Sequence, residues 1–395
     1  MDAGALGDFL AGVELLGNDW RGPGVWPVRN GRSDTDYADV LMACGVLTSE
    51  IGAMQGLSVQ GVAKDMLTRA STMFAGDPRS QLARLWTGTP FLRAGEYHEA
   101  IAYADTLLAE NGDTVVVLCA TRTKAIAVTE LGDPETALDL LNAVQPLVAG
   151  ADPLLRGKYS LQLGVVFRKL GRIDDALSSY RDATEFFLDA NSARYEAAAS
   201  NNLAGIYTDL GQFLTAHITA ERAVSLFERI GDKPMAAKTW DQIAKIYMAE
   251  GNFHSAERAA RTAVELLSGG DRQSWLAEAL TTHGTALIQL GLEQAAGQLK
   301  KAVAICLEID NPHQERESIA ALWQSIGQVK DVVDLVRPLE KFVIEQTLIA
   351  NDGRIGVAAR HLGITHGHVE QRIKSFGLES LLRAKRKRRK SIIKS

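Results

Sequence analysis

The sequence predicts an all-α fold in which helical hairpins stack into one elongated solenoid. The chain is rich in alanine and leucine, and a pattern of small residues recurs in it with a period of 40. Its 395 residues would ordinarily suggest two or three domains. A repeat domain accommodates the same length, because a solenoid does not depend on a single central core.

The period is clearest in four segments between residues 159 and 303. Each segment has a small residue, a glycine seven positions later, an alanine five positions after that glycine, and a further alanine or valine seven positions on. The four sets are Gly164, Ala204, Ala244 and Gly284; Gly171, Gly211, Gly251 and Gly291; Ala176, Ala216, Ala256 and Ala296; and Ala183, Ala223, Ala263 and Val303.

This spacing is typical of two helices that pack as a hairpin. A small residue in the first helix lets the second helix approach closely. The glycine ends the first helix, where a left-handed backbone is needed. The pattern resembles the tetratricopeptide repeat (TPR) in a long, 40-residue form. The resemblance implies a right-handed superhelix whose first helices line a concave face.

Weaker copies of the pattern extend the repeat in both directions. They lie at Gly88, Gly95 and Ala100, at Ala125, Gly132 and Ala137, at Ala63 and Ala70, and at Ala320 and Gly327. We therefore expect seven or eight hairpins between residues 34 and 338. Before them, residues 1–33 place Trp20 and Trp26 in a loop rich in glycine and proline. This segment is predicted to cap the first hairpin, with a plug or a dimer contact as the alternative.

The TPR resemblance also implies which positions line the concave face. These lie three and six residues before the small residue, and one and four after it. Such faces bind extended peptides or a partner's helix. Asparagine and lysine there are similar to the family's clamps for peptide backbone and carboxylate, although each could also be an ordinary exposed polar residue. The expected groove residues are Arg122, Lys158, Arg168, Asn201, Asn202, Lys238, Asp241 and Lys245.

The end of the chain predicts a separate three-helix unit over residues 339–380. A first amphipathic helix places Phe342, Ile344, Leu348 and Ile349 close to one face. In the following stretch GVAARHLGITHGHVEQRIKSFGL (356–378), two alanines allow a tight crossing and a glycine allows a sharp turn. The third helix is capped by a threonine and turns a valine and an isoleucine inward.

This stretch resembles the C-terminal DNA-binding helix-turn-helix of Fis-type bacterial regulators, over Leu339 to Leu378. The resemblance implies that the third helix faces double-stranded DNA through Thr365, His366, His368, Gln371, Arg372 and Lys374. His366 stands where the family often has arginine or lysine, and Glu370 would repel phosphates. Both departures weaken the expected affinity of the helix itself.

A basic tail, residues 381–395, is predicted to compensate through phosphate contacts. From residue 340 onward the chain has 13 Lys and Arg against 5 Asp and Glu, whereas the rest has 30 against 43. An acidic body with a basic end is typical of a protein whose end binds a polyanion, although a solvated, disordered tail would have the same composition. The tail residues are Arg383, Lys385, Arg386, Lys387, Arg388, Arg389 and Lys390.

Several other classes of function find no support in the sequence. It contains no phosphate loop ending in GK[ST], no HExxH, no nucleophile elbow and no CxxC, so we expect no enzyme and no cofactor. His361, His366 and His368 are close in sequence, but the last two would point about 200° apart on a helix, so no metal site is expected.

We expect the protein to be cytoplasmic and to associate with the nucleoid when it is bound to DNA. The cysteines Cys44, Cys119 and Cys306 are odd in number and far apart, as is typical of free thiols in a reducing compartment. The acidic residues near the N-terminus argue against a signal peptide. No apolar run approaches the roughly 18–20 residues of a membrane span, so no membrane partner is expected.

Two functions remain open from the sequence alone. The first is a transcriptional regulator, expected to be a homodimer, in which the solenoid binds a peptide or protein and the C-terminal unit binds DNA. The second is a TPR adaptor for protein partners, whose helix-turn-helix is a degenerate protein-binding module.

Overall fold

The computed structural model describes residues 14, 16–110, 113–270, 272–292, 294–308 and 333–382. Within these residues the regular elements are helices and no strand occurs, so the predicted all-α solenoid of stacked hairpins is confirmed. The chain divides into two compact units, Met1–Gln242 and Ile243–Ser395.

The first unit consists of consecutive helical hairpins in chain order. Successive helices pack against each other, both within a hairpin and between neighbouring hairpins. The five hairpins pair α1 (Asp34–Gln55) with α2 (Gln60–Met73), α3 (Pro78–Ala94) with α4 (Tyr97–Leu108), α5 (Thr114–Glu130) with α6 (Pro134–Val148), α7 (Pro153–Lys169) with α8 (Ile173–Asp189), and α9 (Ala193–Asp209) with α10 (Phe213–Ile230).

The helix α11 (Lys233–Ala249) runs through the boundary, and the second unit continues after it. Its further helices are α12 (Phe253–Leu267), α13 (Gln273–Gln289), α14 (Ala295–Glu308), α15 (Val333–Ala350), α16 (Ile355–His361) and α17 (His366–Phe376). The described residues thus contain seven hairpins up to residue 308. Ala320 and Gly327, on which the eighth was predicted, lie outside the described residues.

The hairpins form for the reason that the repeat predicts. Gly171, Gly211, Gly251 and Gly291 each lie two residues after the end of a first helix, and all four have left-handed backbone with φ between 69° and 76°. Gly164 provides the close approach, because a Cβ atom there would lie 2.5 Å from the ring of Tyr180 on α8. Tyr180 is only 1% exposed, so this space is already filled.

The fourth segment departs from the predicted register by one residue. Gly284 on α13 faces Leu299, which is 15 positions later, whereas Gly164 faces a residue 16 positions later. Ala295 is accordingly fully buried at the start of α14. The side chain of Ala296, which the repeat predicts at this place, lies outside the described residues, while Val303 is 1% exposed as expected.

The loop before α1 packs through one tryptophan and exposes the other. Trp20 is 3% exposed, and its Nε1 donates a 2.7 Å hydrogen bond to the carbonyl of Val25. The Tyr37 hydroxyl on α1 donates to the carbonyl of Pro27 (3.1 Å), which ties the loop to the first hairpin. Trp26 is 44% exposed, so of the two tryptophans Trp20 is the one that is buried.

Among the described residues, α1 is the one helix that is long and apolar enough to cross a membrane by length and composition. We did not anticipate it from the sequence. Of its most apolar 18-residue window, 61% is buried inside the protein. Core helices of folded domains meet the same criteria of length and composition. Its residues Leu41, Cys44 and Met54 are completely buried.

In the second unit, the three C-terminal helices share a hydrophobic core with α13 and α14. Leu287, Leu299, Ile344 and Val369 belong to one buried cluster. The helices α15 to α17 are therefore attached to the preceding hairpin through apolar contacts. On α15, Ile344 and Leu348 are buried as predicted, but Ile349 is 53% exposed, because it lies one residue beyond the buried stripe.

Candidate functional site

Two of the predicted groove residues in the first unit, Arg122 on α5 and Lys158 on α7, lie near the thiol of Cys119. Burial raises the pKa of this thiol, and the positive charges of Arg122 and Lys158 partly oppose the effect. The Lys158 ammonium also lies 4.5 Å from the centroid of the Tyr195 ring on α9, in a cation–π contact. First helices of three successive hairpins thus place cationic and aromatic groups close together.

Arg168 has a structural role that the sequence did not indicate. Its Nη2 donates to Asp209 Oδ2 at 3.0 Å, which joins α7 to α9. The guanidinium lies over Gly205, where a Cβ atom would come within 2.8 Å of Nη1. The absence of a side chain at Gly205 therefore makes room for the arginine, and the arginine joins neighbouring hairpins.

Asn201 is the most deeply buried of the predicted groove asparagines. It is 5% exposed, and among the described residues its Oδ1 atom finds no hydrogen-bond partner. The buried Nε atom of Arg122 likewise has no hydrogen-bond partner among the described residues. Leaving a buried polar atom without a partner costs about 1–3 kcal/mol, so such atoms are rare in folded proteins. Asn202, the next residue, is half-buried.

The remaining predicted groove residues lie on α11. Lys238 is half-buried and Asp241 is 5% exposed, and both belong to the first unit. Lys245 belongs to the second unit, where its ammonium forms an ion pair with Glu278 on α13. The structure thus brings Arg122 and Lys158 together, while Arg168 and Lys245 form ion pairs between hairpins.

The first unit also contains a buried ionic cluster that the sequence did not lead us to predict. Glu50 on α1 accepts hydrogen bonds at Oε2 from Arg93 Nη2 (2.7 Å) and from Arg194 Nη1 (3.1 Å). Arg194 also donates from Nε to Asp232 Oδ2 at 2.7 Å. We name Glu50, Arg93, Arg194 and Asp232 the ionic clasp, because they connect hairpins one, two and five.

The members of the ionic clasp are largely withdrawn from solvent. The side chains of Glu50, Arg93 and Arg194 are 12%, 13% and 15% exposed. Burial pushes the pKa of Glu50 up, but the charges of Arg93, Arg194 and Lys158 outweigh it, and the net pKa is below that of an ordinary glutamate. Glu50 is therefore ionised at neutral pH, and Lys158 links the clasp electrostatically to the groove residues.

One signal in the sequence could have pointed to this cluster. Glu50 is a single carboxylate in the second half of the apolar helix α1, and buried glutamates are rarely found without a charged partner. Its partners could not have been read from the repeat, because Arg194 lies 144 residues away.

The third C-terminal helix, α17, presents most of the residues predicted to face DNA. Thr365 caps the helix, and its side chain accepts a hydrogen bond from the His368 backbone N–H at 3.3 Å. Val369 and Ile373 are buried as predicted, at 0% and 1% exposure. The exposed residues are Thr365, His366, His368, Gln371 and Lys374.

Arg372 is the exception within this set. Its Nη2 donates to Glu340 Oε1 on α15 at 3.2 Å, and Glu340 is only 12% exposed. Its guanidinium also lies 6.0 Å from the centroid of the Phe376 ring. This arginine therefore helps to fix α17 on α15. On the exposed face, His366 Nδ1 lies 3.8 Å from Glu370 Oε1.

Other predictions fall partly outside the described residues. The tail residues Arg383, Lys385, Arg386, Lys387, Arg388, Arg389 and Lys390 all lie there. Cys44 and Cys119 carry free thiols, and Cys306 has no described side chain. No group of three or more His, Cys, Asp or Glu side chains that could hold a metal ion occurs in the part of the chain that the structure describes.

Comparison with known proteins supports the repeat assignment. Residues 195–269 match the family model described as tetratricopeptide repeat. This stretch contains the second and third of the four segments that define the period. No curated protein matches the chain by sequence comparison.

Solved structures similar to this chain share its fold at low sequence identity. A Rap protein complexed with competence and sporulation factor has a TM-score of 0.56 at 11% identity, covering 87% of this chain and 99% of its own. NprR in complex with its cognate peptide NprX has a TM-score of 0.53 at 14% sequence identity, and the match covers 85% of this chain and 98% of NprR. A chain of the APC/C hetero-tetramer Cut9-Hcn1 has a TM-score of 0.54 at 15% sequence identity, and the match covers 83% of this chain and 58% of that one. These likenesses establish a TPR-type helical solenoid.

Proposed function

We propose that this protein is a transcriptional regulator whose TPR solenoid binds a peptide or protein and whose C-terminal helices bind double-stranded DNA. The observation that carries the proposal is the exposed face of α17, capped by Thr365 and anchored from behind by Val369 and Ile373. A short exposed helix, held by a preceding helix and a tight turn, is the arrangement with which helix-turn-helix proteins enter the major groove.

The chemistry of this face suits DNA better than it suits a hydrophobic partner. His366, His368, Gln371 and Lys374 offer polar groups and no large apolar side chain. Lys374 would contact phosphate, while Gln371 can form bidentate hydrogen bonds with adenine. Glu370 opposes phosphate binding, so we expect modest intrinsic affinity that the basic tail increases without reading sequence.

Peptide binding by the solenoid is supported by the groove residues and by analogy in fold. The NprR structure holds its cognate peptide NprX, and the Rap structure holds competence and sporulation factor. In the present chain, Arg122, Lys158 and Asn201 offer cationic groups and an unpaired carbonyl oxygen on neighbouring first helices. Those groups fit the carboxylates and backbone N–H groups of an extended peptide.

We further propose that the protein acts as a homodimer in the cytoplasm and joins the nucleoid when bound to DNA. Helix-turn-helix proteins commonly bind paired half-sites about one helical turn apart, which a two-fold symmetric dimer matches. Peptide binding would then change the geometry that the solenoid imposes on the two DNA-binding ends.

A mobility-shift titration with genomic fragments tests the DNA-binding half of this proposal. The full-length protein should shift fragments at low salt, and the double variant Gln371→Glu/Lys374→Glu should lose most of that affinity. The matched control is Lys301→Glu, because Lys301 is an exposed lysine on α14, outside the α17 face. The absence of a shift at low salt by the full-length protein would contradict the regulator and favour the adaptor.

Point variants serve this purpose better than deletion of residues 340–395. The helices α15 to α17 share a buried cluster with α13 and α14, which includes Leu287, Leu299 and Ile344. Truncation would expose that apolar surface and could unfold part of the second unit. The adaptor alternative predicts instead that the wild type binds no DNA and that the double variant keeps the partners held by the solenoid in pull-downs.

A further inference from the structure

We propose that the exposed face of α10 binds the same face of a second copy of this chain, with the two helices parallel and related by a two-fold axis. The inference rests on the proposed homodimer and names its interface. This interface lies entirely in the first unit, whereas the residues proposed to contact DNA lie in the second. Dimerisation and DNA binding can therefore be tested separately.

Two large apolar side chains lie open on this face of α10. Leu214 is 76% exposed and Ile218 is 60% exposed, and no other large apolar side chain among the described residues is as exposed. The two residues are four positions apart in one helix, which places them one turn apart on the same side. Exposed apolar side chains that cluster on one face indicate an interaction site, whereas single scattered ones do not.

The repeat shows that the fold does not require these two side chains. The buried alanine near the start of each second helix, Ala216 on α10, defines equivalent positions in the other hairpins. The residues equivalent to Leu214 and Ile218 are His98 and Ala102 on α4, Glu135 and Asp139 on α6, Asp174 and Ser178 on α8, and His254 and Arg258 on α12. All of them are exposed, and none is large and apolar. Hairpin packing therefore does not explain the pair on α10.

The charged side chains beside the apolar pair are separated by sign. Glu221 and Glu228 lie about 40° and 60° to one side of the line midway between Leu214 and Ile218, at 3.6 residues per turn. The two arginines that follow these glutamates in the sequence, Arg222 and Arg229, lie about 60° and 40° to the other side. All four are exposed. The face therefore has an apolar centre, an acidic flank and a basic flank.

This arrangement of charge is complementary to itself when two such helices are parallel. A two-fold axis along the helices sets the acidic flank of one copy opposite the basic flank of the other, on both sides of the apolar centre. Glu228 of one copy then lies at nearly the same height as Arg229 of the other. An antiparallel pair would set like charges opposite each other and repel. Charge complementarity therefore identifies a second copy of this chain, in parallel orientation, as the occupant.

Contacts within the chain already hold two of the flanking side chains in place. Arg222 forms an ion pair with Glu196 on α9, whose side chain is 10% exposed. Glu228 accepts a 3.2 Å hydrogen bond at Oε1 from Nε1 of Trp240 on α11. Side chains that are ordered beforehand lose less conformational freedom on binding.

The length of α10 sets the expected strength of the dimer. Its 18 residues span about 27 Å. One face of such a helix is smaller than the about 800 Å² per partner of a standard protein interface. We therefore expect a dimer that forms in the micromolar range and depends on protein concentration.

Sedimentation velocity of the full-length protein over a concentration series tests the interface. The variant Leu214→Asp/Ile218→Ser introduces the residues that α8 has at the equivalent positions, so it is compatible with the hairpin fold. The matched control is Leu188→Ser, because Leu188 is 51% exposed and lies on α8. Wild type and control should dimerise alike, and the double variant should require at least about tenfold more protein to dimerise.

Two charge reversals test the parallel pairing. Glu228→Arg and Arg229→Glu each set like charges opposite each other in a homodimer, so each variant alone should dimerise more weakly than wild type. An equimolar mixture of the two variants restores opposite charges on both flanks. The mixture should therefore dimerise about as strongly as wild type.

Three results would overturn the inference in distinguishable ways. Dimerisation of the double variant at wild-type concentrations would place the interface elsewhere and leave the proposed homodimer intact. A wild type that stays monomeric throughout the series would remove the homodimer as well. Weakened dimerisation of both charge reversals without recovery in the mixture would contradict the parallel pairing. If circular dichroism shows that the double variant does not fold, the two charge reversals and their mixture decide the result.

Discussion

The Glu50 carboxylate on α1 accepts a 3.1 Å hydrogen bond from Arg194 on α9, although 144 residues separate them in the chain. Most other ion pairs of the first unit join helices of the same or neighbouring hairpins, as Arg84 with Glu110 and Arg168 with Asp209 do. The contact between hairpins one and five therefore constrains the first unit at long range, and it is open to direct measurement.

We expect Glu50→Gln to destabilise the protein by about 3 kcal/mol at neutral pH, because it leaves two buried arginines with one fewer carboxylate. The pKa of Glu50 is lowered on folding, so the carboxylate stabilises the folded state fully above its unfolded pKa of about 4.3. That contribution disappears as the pH falls through the still lower folded pKa. Urea unfolding of both proteins between pH 7 and pH 3 measures it.

The difference in unfolding free energy should therefore be largest near pH 7 and shrink below about pH 4. Glu185→Gln should show no such dependence, because its carboxylate is exposed. A difference between wild type and Glu50→Gln that is constant across this range would mean that the carboxylate is not ionised in the clasp.

Gly164→Ala should destabilise the protein by about 1–3 kcal/mol, which reverses the usual effect of this substitution in a helix. The new methyl group would lie 2.5 Å from the buried Tyr180 ring. The matched control is Gly61→Ala on α2, where nothing lies within 4 Å of the new Cβ atom. Chemical denaturation measures the change in unfolding free energy for each variant. We expect a decrease for Gly164→Ala, and an increase or no change for Gly61→Ala.

Substitution of Arg372 should affect mainly stability, and substitution of Lys374 should affect mainly DNA binding. The Fis-type resemblance, by contrast, assigns both residues to the DNA-facing helix. Arg372→Ala removes the ion pair with Glu340 and should lower the stability of the second unit by about 1 kcal/mol. Lys374→Ala should change stability by less than about 0.5 kcal/mol. It should weaken DNA binding at low salt and reduce the salt slope by about one. Equal effects of both variants on melting and on DNA affinity would contradict these roles.

The two described cysteines should differ in reactivity within the native protein. Cys44 is completely buried, and burial raises the pKa of its thiol to about 12. Cys119 is half-buried, with its thiol pKa also raised by burial. At pH 8 iodoacetamide should therefore modify Cys119 before Cys44, while both should react at the same rate in guanidinium chloride. Peptide mapping by mass spectrometry reads each site separately, and faster modification of Cys44 would contradict the packing of α1.

The fold was largely predictable because hairpin packing imposes local rules on the sequence. A glycine with positive φ must follow each first helix, and a small residue must face the second helix, as at Gly164. Both constraints act over fewer than 20 residues, so they appear as a period. The one-residue shift at Ala295 was not predictable, because it depends on how Leu299 fills the space opposite Gly284.

The candidate sites were predictable only where they follow the repeat or a short motif. The cap at Thr365 and the buried Val369 and Ile373 could be read from spacing within one helix. The engagement of Arg372 by Glu340 could not, because it depends on the crossing of α15 and α17. The ionic clasp could not be predicted for the same reason, because its members lie on hairpins that are distant in the chain, with Glu50 and Arg194 separated by 144 residues.

The claim that the α17 face contacts DNA is most directly tested by photocrosslinking. A benzophenone-bearing amino acid replaces Gln371 in the full-length protein, and in a control it replaces Lys301 on α14; both residues are exposed. Each protein is irradiated with the genomic fragments that it shifts at low salt. We predict covalent protein–DNA adducts from position 371 and none above background from position 301. Adducts from position 301 alone, or from neither position while the fragments are bound, would contradict the account.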